Sequence, residues 1–466
     1  MKKNAILERI LLTKAGAKGV AVGKTPEGKT LLVSGAVPGD WAKVRVKRAR
    51  SRYLEAEAIE ILEPSPDRVE ARCEHFGICG GCKWQNLSYQ KQLYFKQEEV
   101  FENIRRIGGI ENFQKLSIIG AKKQYFYRNK MEFSFSDTRW LTEEEIHSEE
   151  NIKEKNALGF HIPGMWSKIL DLKRCFLQED PSDKIRLKVR DFALERGLEF
   201  YNVKERRGFL RTLMLRQNSR GEWMLVFQLY REEEENRISL FDYILKSFPE
   251  IKTLLYAINP KPNDSVYDLD INVYYGEGFL YEEMDGLRFK IGPKSFFQTN
   301  YGQALELYRK TLEFADLHGE EVIYDLYTGT GTIAQYVARK AKSVIGIESV
   351  EESIAAAKEH AKYNKIENCI FYCGDMKEMF SDAFLENHPK ADVVITDPPR
   401  DGMHRKVVEQ LLKLSPQKIV YVSCNSATQA RDISLLRESY ALVKVLPVDM
   451  FPQTHHVESI ALLERK

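Results

Sequence analysis

The sequence predicts an α/β protein whose last third is a mainly parallel sheet covered by helices, preceded by a small N-terminal β-barrel and a central antiparallel region. Three observations predict it. From about Leu305 short apolar strands alternate with helical segments, the grammar of a parallel sheet. The first sixty or so residues read instead as short strands broken by Gly and Pro, which suits a barrel. Between them, residues 124–290 alternate polar and apolar in strand fashion, as in Met131-Glu132-Phe133-Ser134-Phe135. A chain of 466 residues is too long for one core, and the expected domains are 1–62, 63–285 and 286–466.

In the first domain the breaks fall at Gly16 to Gly23, Thr25-Pro26-Glu27-Gly28 and Val37-Pro38-Gly39-Asp40. Alternation puts Lys43, Arg45 and Lys47 on one strand face, suited equally to RNA phosphates and to a solvated edge strand. Glu63-Pro64-Ser65-Pro66-Asp67 marks a boundary, because two prolines in three residues stop regular structure. Ser88 to Arg106 has helical spacing through Leu93, Val100 and Ile104, and this helix is expected to pack on the last domain. The acidic stretch Thr142 to Asn156 reads as a solvent-exposed insertion. Net charge is only +2, so attraction to nucleic acid must come from local patches. No run is long and apolar enough to cross a bilayer, and the first residues lack the features of a secretory signal, so the expected location is the cytoplasm.

Seven cysteines, an odd number, suggest metal ligands, nucleophiles or core residues rather than disulfides. Cys73, Cys79 and Cys82 lie in one Gly-rich stretch and Cys175 follows much later. Four thiolates suit zinc or an iron–sulfur cluster, and spacing does not choose between them. Cys369 and Cys373, in or beside an apolar strand, read as inert. Tyr125-Phe126-Tyr127-Arg128-Asn129-Lys130 mixes aromatics with cations, a composition for stacking unpaired bases or for ordinary strand packing.

The expected parallel strands are Val322 to Leu326, Ser343 to Ile347, Asn368 to Tyr372, Asp392 to Thr396 and Lys418 to Ser423. Ligands bind beyond the carboxyl ends of such strands. There the first runs into Asp325-Leu326-Tyr327-Thr328-Gly329-Thr330-Gly331-Thr332, where glycines allow close approach to a ligand. The second ends at Glu348, placed to hold ribose hydroxyls, and the third is followed by Asp375, placed to meet an adenine edge. On spacing alone a nicotinamide cofactor fits as well. The fourth strand leads into Asp397-Pro398-Pro399-Arg400-Asp401-Gly402, and the fifth into Ser423-Cys424-Asn425. A cysteine at a strand end near an arginine has the exposure and charge that favour thiolate. Glu458 begins a buried strand, where desolvation raises proton affinity and makes a general base or an ion-pair partner. The adjacent His455 and His456, in an extended segment, should point oppositely and are expected to support the site rather than bind metal.

Together Asp397-Pro398-Pro399-Arg400-x-Gly402, Ser423-Cys424-Asn425 and Phe451-Pro452-x-Thr454-x-His456-x-Glu458 resemble the RNA uracil-C5 methyltransferases, most closely the 23S ribosomal RNA branch, over nearly the whole chain. The resemblance implies a Rossmann-like domain dependent on S-adenosylmethionine, an N-terminal TRAM barrel of OB-like form, and a central α+β domain that binds RNA and carries a [4Fe-4S] cluster on Cys73, Cys79, Cys82 and Cys175. It implies Cys424 as nucleophile, Glu458 as base, and Gln298, Tyr327, Thr332, Glu348, Asp375 and Asp397 around the methyl donor. It also implies a 23S ribosomal RNA substrate and a monomer without membrane attachment. Two positions depart from the family: Ser426 replaces a proline and Thr328 a cysteine, which bears on loop rigidity. The same reaction on transfer RNA, an amino-methyltransferase, or a non-catalytic RNA-binding iron–sulfur protein are the competing readings.

Overall fold

The computed structural model describes residues 3–148 and 154–466; residues 149–153 of the acidic stretch lie outside them. The chain forms two units. One comprises Met1–Arg72, Cys82–Gln124 and Gly302–Lys466, the other Cys73–Gly81 and Tyr125–Tyr301.

The first unit opens with a closed five-stranded barrel, Ile6–Ala15, Ala21–Lys24, Thr30–Ser34, Trp41–Ala49 and Tyr53–Glu63. Alternating residues such as Leu12, Leu31, Val33, Val44, Val46 and Leu54 fill it, as a small barrel requires. The basic strand Trp41–Ala49 pairs on both sides, so it is no edge strand. Its outward cations meet glutamates: Lys43 with Glu8 at 2.8 Å, Lys47 with Glu57 at 2.5 Å and Arg45 with Glu57 at 3.4 Å.

The same unit contains an eight-stranded sheet. Five parallel strands come in the order Cys369–Cys373, Ser343–Glu348, Val322–Leu326, Val393–Thr396 and Lys418–Ser423. Glu458–Arg465, antiparallel to its neighbours, Tyr440–Val448 and the short Gln114–Lys115 complete it. The strands anticipated from the apolar runs are thus present. The chain runs outward one way from Val322–Leu326 and then returns to add Val393–Thr396 on its other side, leaving a crevice where the order reverses. The helix Tyr89–Arg106 packs on the helix Ser426–Leu436, and Val100, Phe101 and Ile104 join the core under the sheet.

The second unit has an eight-stranded sheet of its own, ordered Asn272–Tyr275, Ile251–Ile258, Trp223–Leu229, Leu210–Gln217, Lys130–Ser136, Ala157–Ile162, Met165–Asp171 and Arg139–Trp140. It is not wholly antiparallel as its alternation suggested. Trp223–Leu229 and Ile251–Ile258 run parallel, because the helix Glu234–Ser247 carries the chain back across the sheet before the second strand begins. That helix packs on Ser182–Glu195, with the Phe192 and Tyr243 rings stacked at 4.6 Å.

Candidate active site

The loop after Val322–Leu326 turns sharply through three left-handed residues, Tyr327, Gly329 and Gly331 (φ 64°, 56° and 74°). A Cβ on Gly331 would lie 2.9 Å from Ala357 Cβ and 3.0 Å from the Phe371 ring, so only glycine fits there. One on Gly329 would meet nothing within 4 Å, so the loop borders open space at that point. Thr328 donates through Oγ1 to the buried Asp325 carboxylate at 2.5 Å, so the departure from cysteine ties the loop to its strand. Glu348 accepts from the backbone N–H groups of Gly329, Ser349 and Val350 at 3.2, 2.7 and 3.1 Å. Its carboxylate is therefore fixed at the loop without a cation. Thr332 is the buried first residue of the helix Thr332–Ala338. Asp375 is exposed and held below the usual carboxylate range by the Lys377 side chain and backbone N–H. Tyr327, Thr332, Glu348, Asp375 and Asp397 all stand at this one edge. Gln298 belongs to the other unit, where its carbonyl accepts from Asn129 Nδ2 at 3.0 Å.

Cys424 and Glu458 meet by register. Lys418–Ser423 and Glu458–Arg465 pair antiparallel with Ser423 opposite Ser459, so the next residues across are Cys424 and Glu458. Burial pushes the Cys424 thiol up to about 11, with Glu458 and Asp397 adding to it and Arg400 opposing. This corrects the expectation that exposure and a neighbouring arginine make a resting thiolate, since desolvation and two carboxyls outweigh one guanidinium. Burial likewise raises Glu458 to about 8, reinforced by Asp397 and opposed by Arg400. Asp397 is raised to about 7 by burial. Asp325 also rises to about 7, again chiefly by burial and against the Thr328 hydrogen bond. The buried Tyr308 hydroxyl is raised by burial and by Asp397, Asp325 and Glu458. The crevice therefore gathers acids that change protonation near neutrality, beside a thiol that does not ionise unaided.

Comparison with known proteins places this geometry. Residues 279–466 match the family described as tRNA (uracil-5-)-methyltransferase, and residues 8–59 match the TRAM domain. An uncharacterised RNA methyltransferase of Bacteroides thetaiotaomicron is 50% identical, covering 96% of this chain and 99% of its own. One from Porphyromonas gingivalis is 45% identical over 97% and 99%. The chain belongs to the RNA (uracil-5)-methyltransferase family. Among solved structures, the tRNA (uracil-54, C5)-methyltransferase of Pyrococcus abyssi, in complex with S-adenosyl-L-homocysteine, superposes with a TM-score of 0.74. It is 28% identical and covers 98% of this chain and 100% of its own.

In this methyltransferase the loops that carry Arg400 and Cys424 are tied to one another. The Arg400 carbonyl accepts from Asn425 Nδ2 at 2.8 Å and from Thr428 Oγ1 at 3.1 Å. Buried Asp432 accepts from Met403 N at 2.8 Å and Tyr421 OH at 2.7 Å. Gly402 (φ 77°) passes so close that a Cβ would lie 2.6 Å from Asp432 Oδ2 and Arg431 Nη2. Ser426, where a proline was expected, is buried and accepts from Asn103 Nδ2 at 2.8 Å. The position is thus anchored by another means.

Sequence reasoning missed what holds the loop before Glu458. Lys96 and Asp449 form a fully buried ion pair at 2.5 Å. Tyr89 OH donates to the other Asp449 oxygen at 2.8 Å. Lys96 also donates to the Phe451 carbonyl at 3.1 Å, while Gln92 exchanges hydrogen bonds of 2.9 and 3.0 Å with Gln453. The signal was present: Gln92 and Lys96 occupy the same helical stripe as Val100 and Ile104, and polar residues on an apolar stripe imply buried partners. His455 and His456 do not point oppositely. The segment is a turn, not extended, and their rings lie 4.1 Å apart. Burial lowers His455 to about 4.

Of the four expected cluster cysteines, Cys73, Cys79 and Cys175 lie in the second unit and Cys82 in the first. Within the second unit the Lys173 N–H donates to His75 Nε2 at 2.9 Å, tying the Cys73–Cys79 loop to the segment that carries Cys175. Among the described residues no three His, Cys, Asp or Glu side chains converge as a metal-holding group. Tyr125 and Phe126, in the bend before the strand Lys130–Ser136, pack on Phe176, with ring centroids 6.4 and 6.0 Å apart. No helix of the described residues is long and apolar enough to cross a membrane.

Proposed function

We propose that this enzyme methylates carbon 5 of a uridine in 23S ribosomal RNA, with Cys424 as nucleophile and Glu458 as base. The observation that carries the proposal is the register that sets a thiol and a buried carboxyl opposite one another beside the glycine loop. S-adenosylmethionine, when bound, supplies an electrophilic methyl group. Support for it comes from Glu348, fixed by three backbone N–H groups, from Tyr327, Thr332, Asp375, Asp397 and Gln298 as further contacts, and from the ligand of the Pyrococcus enzyme. Uracil C5 is too weak a nucleophile to take that group directly. The Cys424 thiolate, its proton released to solvent, adds to C6, which drives the electron pair onto C5. C5 then bonds the methyl carbon as that carbon's bond to the donor sulfur breaks, which would leave the donor as a neutral thioether. Glu458 removes the remaining C5 proton, the C5–C6 double bond re-forms, and the C6–S bond breaks to free Cys424. A paired base cannot be reached in this way, so the uridine must be unpaired or extruded.

The division into a barrel at 1–62, a central domain at 63–285 and a transferase domain at 286–466 belongs to this reading and is supported by the two family matches. So do a monomeric, cytoplasmic enzyme and a [4Fe-4S] cluster on Cys73, Cys79, Cys82 and Cys175. A four-thiolate site is supported by their spacing and by the tie between His75 and Lys173, and the choice of iron–sulfur over zinc by the family resemblance.

RNA containing 5-fluorouridine cannot lose its C5 substituent as a proton, so it traps the adduct. The expected result is a denaturation-resistant protein–RNA complex that is absent in Cys424→Ala, with ribosomal RNA and not transfer RNA as the productive substrate. Wild-type product formation by Cys424→Ala sinks the mechanism, and productive labelling of transfer RNA alone sinks the substrate assignment.

A further inference from the structure

The second unit holds a cavity of about 310 Å³ that the methyl-transfer chemistry does not use. Its floor is one face of the sheet. Glu132, Met214 and Val226 stand side by side across three strands, with Thr212 and Gln228 as the next pair along. Met214 and Val226 make the floor apolar at its centre and belong to a small core cluster, with Ile271 packed against it. Lys130 and Lys294 line the cavity, and so does Tyr267, whose side chain is 66% exposed and stacks on no other ring among the described residues.

Two walls of this cavity are clamped by buried arginines. Arg211 is buried and donates to the carbonyls of Asn259, Lys261 and Asn263 at 2.6, 2.6 and 2.7 Å, and to Asp264 Oδ1 at 2.8 Å. It thereby pins the loop that leads to Tyr267. Arg216, on the same strand and also buried, donates to the carbonyls of Gly292 and Ser295 at 2.9 and 3.1 Å, which pins the loop carrying Lys294. Lys294 in turn donates to the Tyr267 carbonyl at 2.9 Å and links the two loops. Spending two buried guanidiniums on loop carbonyls holds the concavity open as a preformed shape. Pockets of this size, with an apolar floor and a few fixed polar groups, are typical of small-ligand sites.

We propose that this cavity binds one unpaired nucleotide of the substrate RNA, distinct from the uridine that is methylated. The base lies on the Met214–Val226 floor and stacks on Tyr267, and its phosphate meets Lys294 and Lys130. An aromatic face beside cations is the arrangement that holds single-stranded nucleic acid without sequence demand. Glu132, paired with Lys130 at 2.9 Å and close enough to the Arg216 guanidinium to favour its charge, offers an acceptor to the amino or imino N–H of a base. The inference rests on the RNA-methyltransferase reading and gives that reading a second grip on the strand.

The test measures binding of a fluorescein-labelled single-stranded RNA 12-mer of mixed sequence to the full-length protein by anisotropy, and the KM for ribosomal RNA, in Tyr267→Ala, Tyr267→Phe and Lys294→Gln. Loss of one stacked base weakens binding roughly 10-fold, so Tyr267→Ala should raise both values by about that factor. Tyr267→Phe should restore them and Lys294→Gln should raise them less. S-adenosylmethionine affinity and thermal unfolding report that each variant is folded. Wild-type anisotropy and KM in both Tyr267→Ala and Lys294→Gln overturn the pocket while leaving uridine methylation intact. Absence of 5-methyluridine from the wild-type reaction instead strikes the function itself.

Discussion

At the scale of single residues, the site is defined by where protons reside. Glu458 has its proton affinity raised from the usual carboxylate value to about 8 by burial, so at neutral pH much of it is neutral and cannot yet serve as the proposed base. For the enzyme without bound RNA, kcat/KM should therefore rise with pH through about 8, as Glu458 loses its proton. The stability sign is the opposite. A carboxyl with its folded value raised contributes least cost when protonated, so stability holds below the unfolded value near 4.5 and falls as pH climbs through 8. The ionised, active form is the less stable one. Glu458→Gln should remove that loss, leaving the variant more stable than wild type above pH 8 by on the order of 1–3 kcal/mol. It should still form the bond to C6 but fail to remove the C5 proton, so methylated RNA stays attached to Cys424. Recovery of free 5-methyluridine at the wild-type rate from Glu458→Gln contradicts the assignment, and mass spectrometry of the denatured complex reads it directly.

At the scale of elements, the helix Tyr89–Arg106 governs the site although none of its side chains touches the reacting atoms. Its buried face holds the turn that leads into Glu458 through Lys96, Gln92 and Tyr89. Removing one member of a buried pair leaves the other charge stranded, at a cost of about 3–5 kcal/mol. Lys96→Met should lower the urea midpoint accordingly and shift the loop enough to depress kcat. Asp449→Asn added to it should return most of the stability, because no net charge then remains buried. Equal stability losses in the single and double variants contradict a paired role. This helix also marks how far the sequence could be read. Its existence was legible from Val100 and Ile104, and so were the parallel strands, because apolar period reports burial directly. The role of Lys96 was hidden, since its partner Asp449 lies 353 residues away and pairing over such separations leaves no local trace. The central sheet was misjudged at its two parallel pairs, Trp223–Leu229 with Ile251–Ile258 and Met165–Asp171 with Arg139–Trp140, for the same reason: alternation records which face is buried, not which way a neighbour runs.

At the scale of the whole molecule, charge and cysteine chemistry leave different traces. The basic face of the barrel looked like a phosphate grip in one dimension, yet Glu8 and Glu57 lie close enough to offset it, which no strand pattern discloses. The thiols pose the converse case. Their spacing in the chain is specific, whereas among the described residues no three His, Cys, Asp or Glu side chains gather as a metal-holding group. A cluster on Cys73, Cys79, Cys82 and Cys175 would close a loop of about a hundred residues, and restricting so long a loop in the unfolded chain stabilises the folded one by several kcal/mol. The thiols must also lose their protons to solvent to bind metal as thiolates, so metal retention should weaken as pH falls. Protein purified without oxygen should accordingly contain iron and acid-labile sulfide in equal amounts, show a broad visible absorbance, and lose both in Cys175→Ser along with several degrees of thermal stability. Bound zinc without sulfide replaces the cluster by a structural zinc site. No metal at all returns the four cysteines to ordinary thiols, and Cys175→Ser then unfolds where the wild type does.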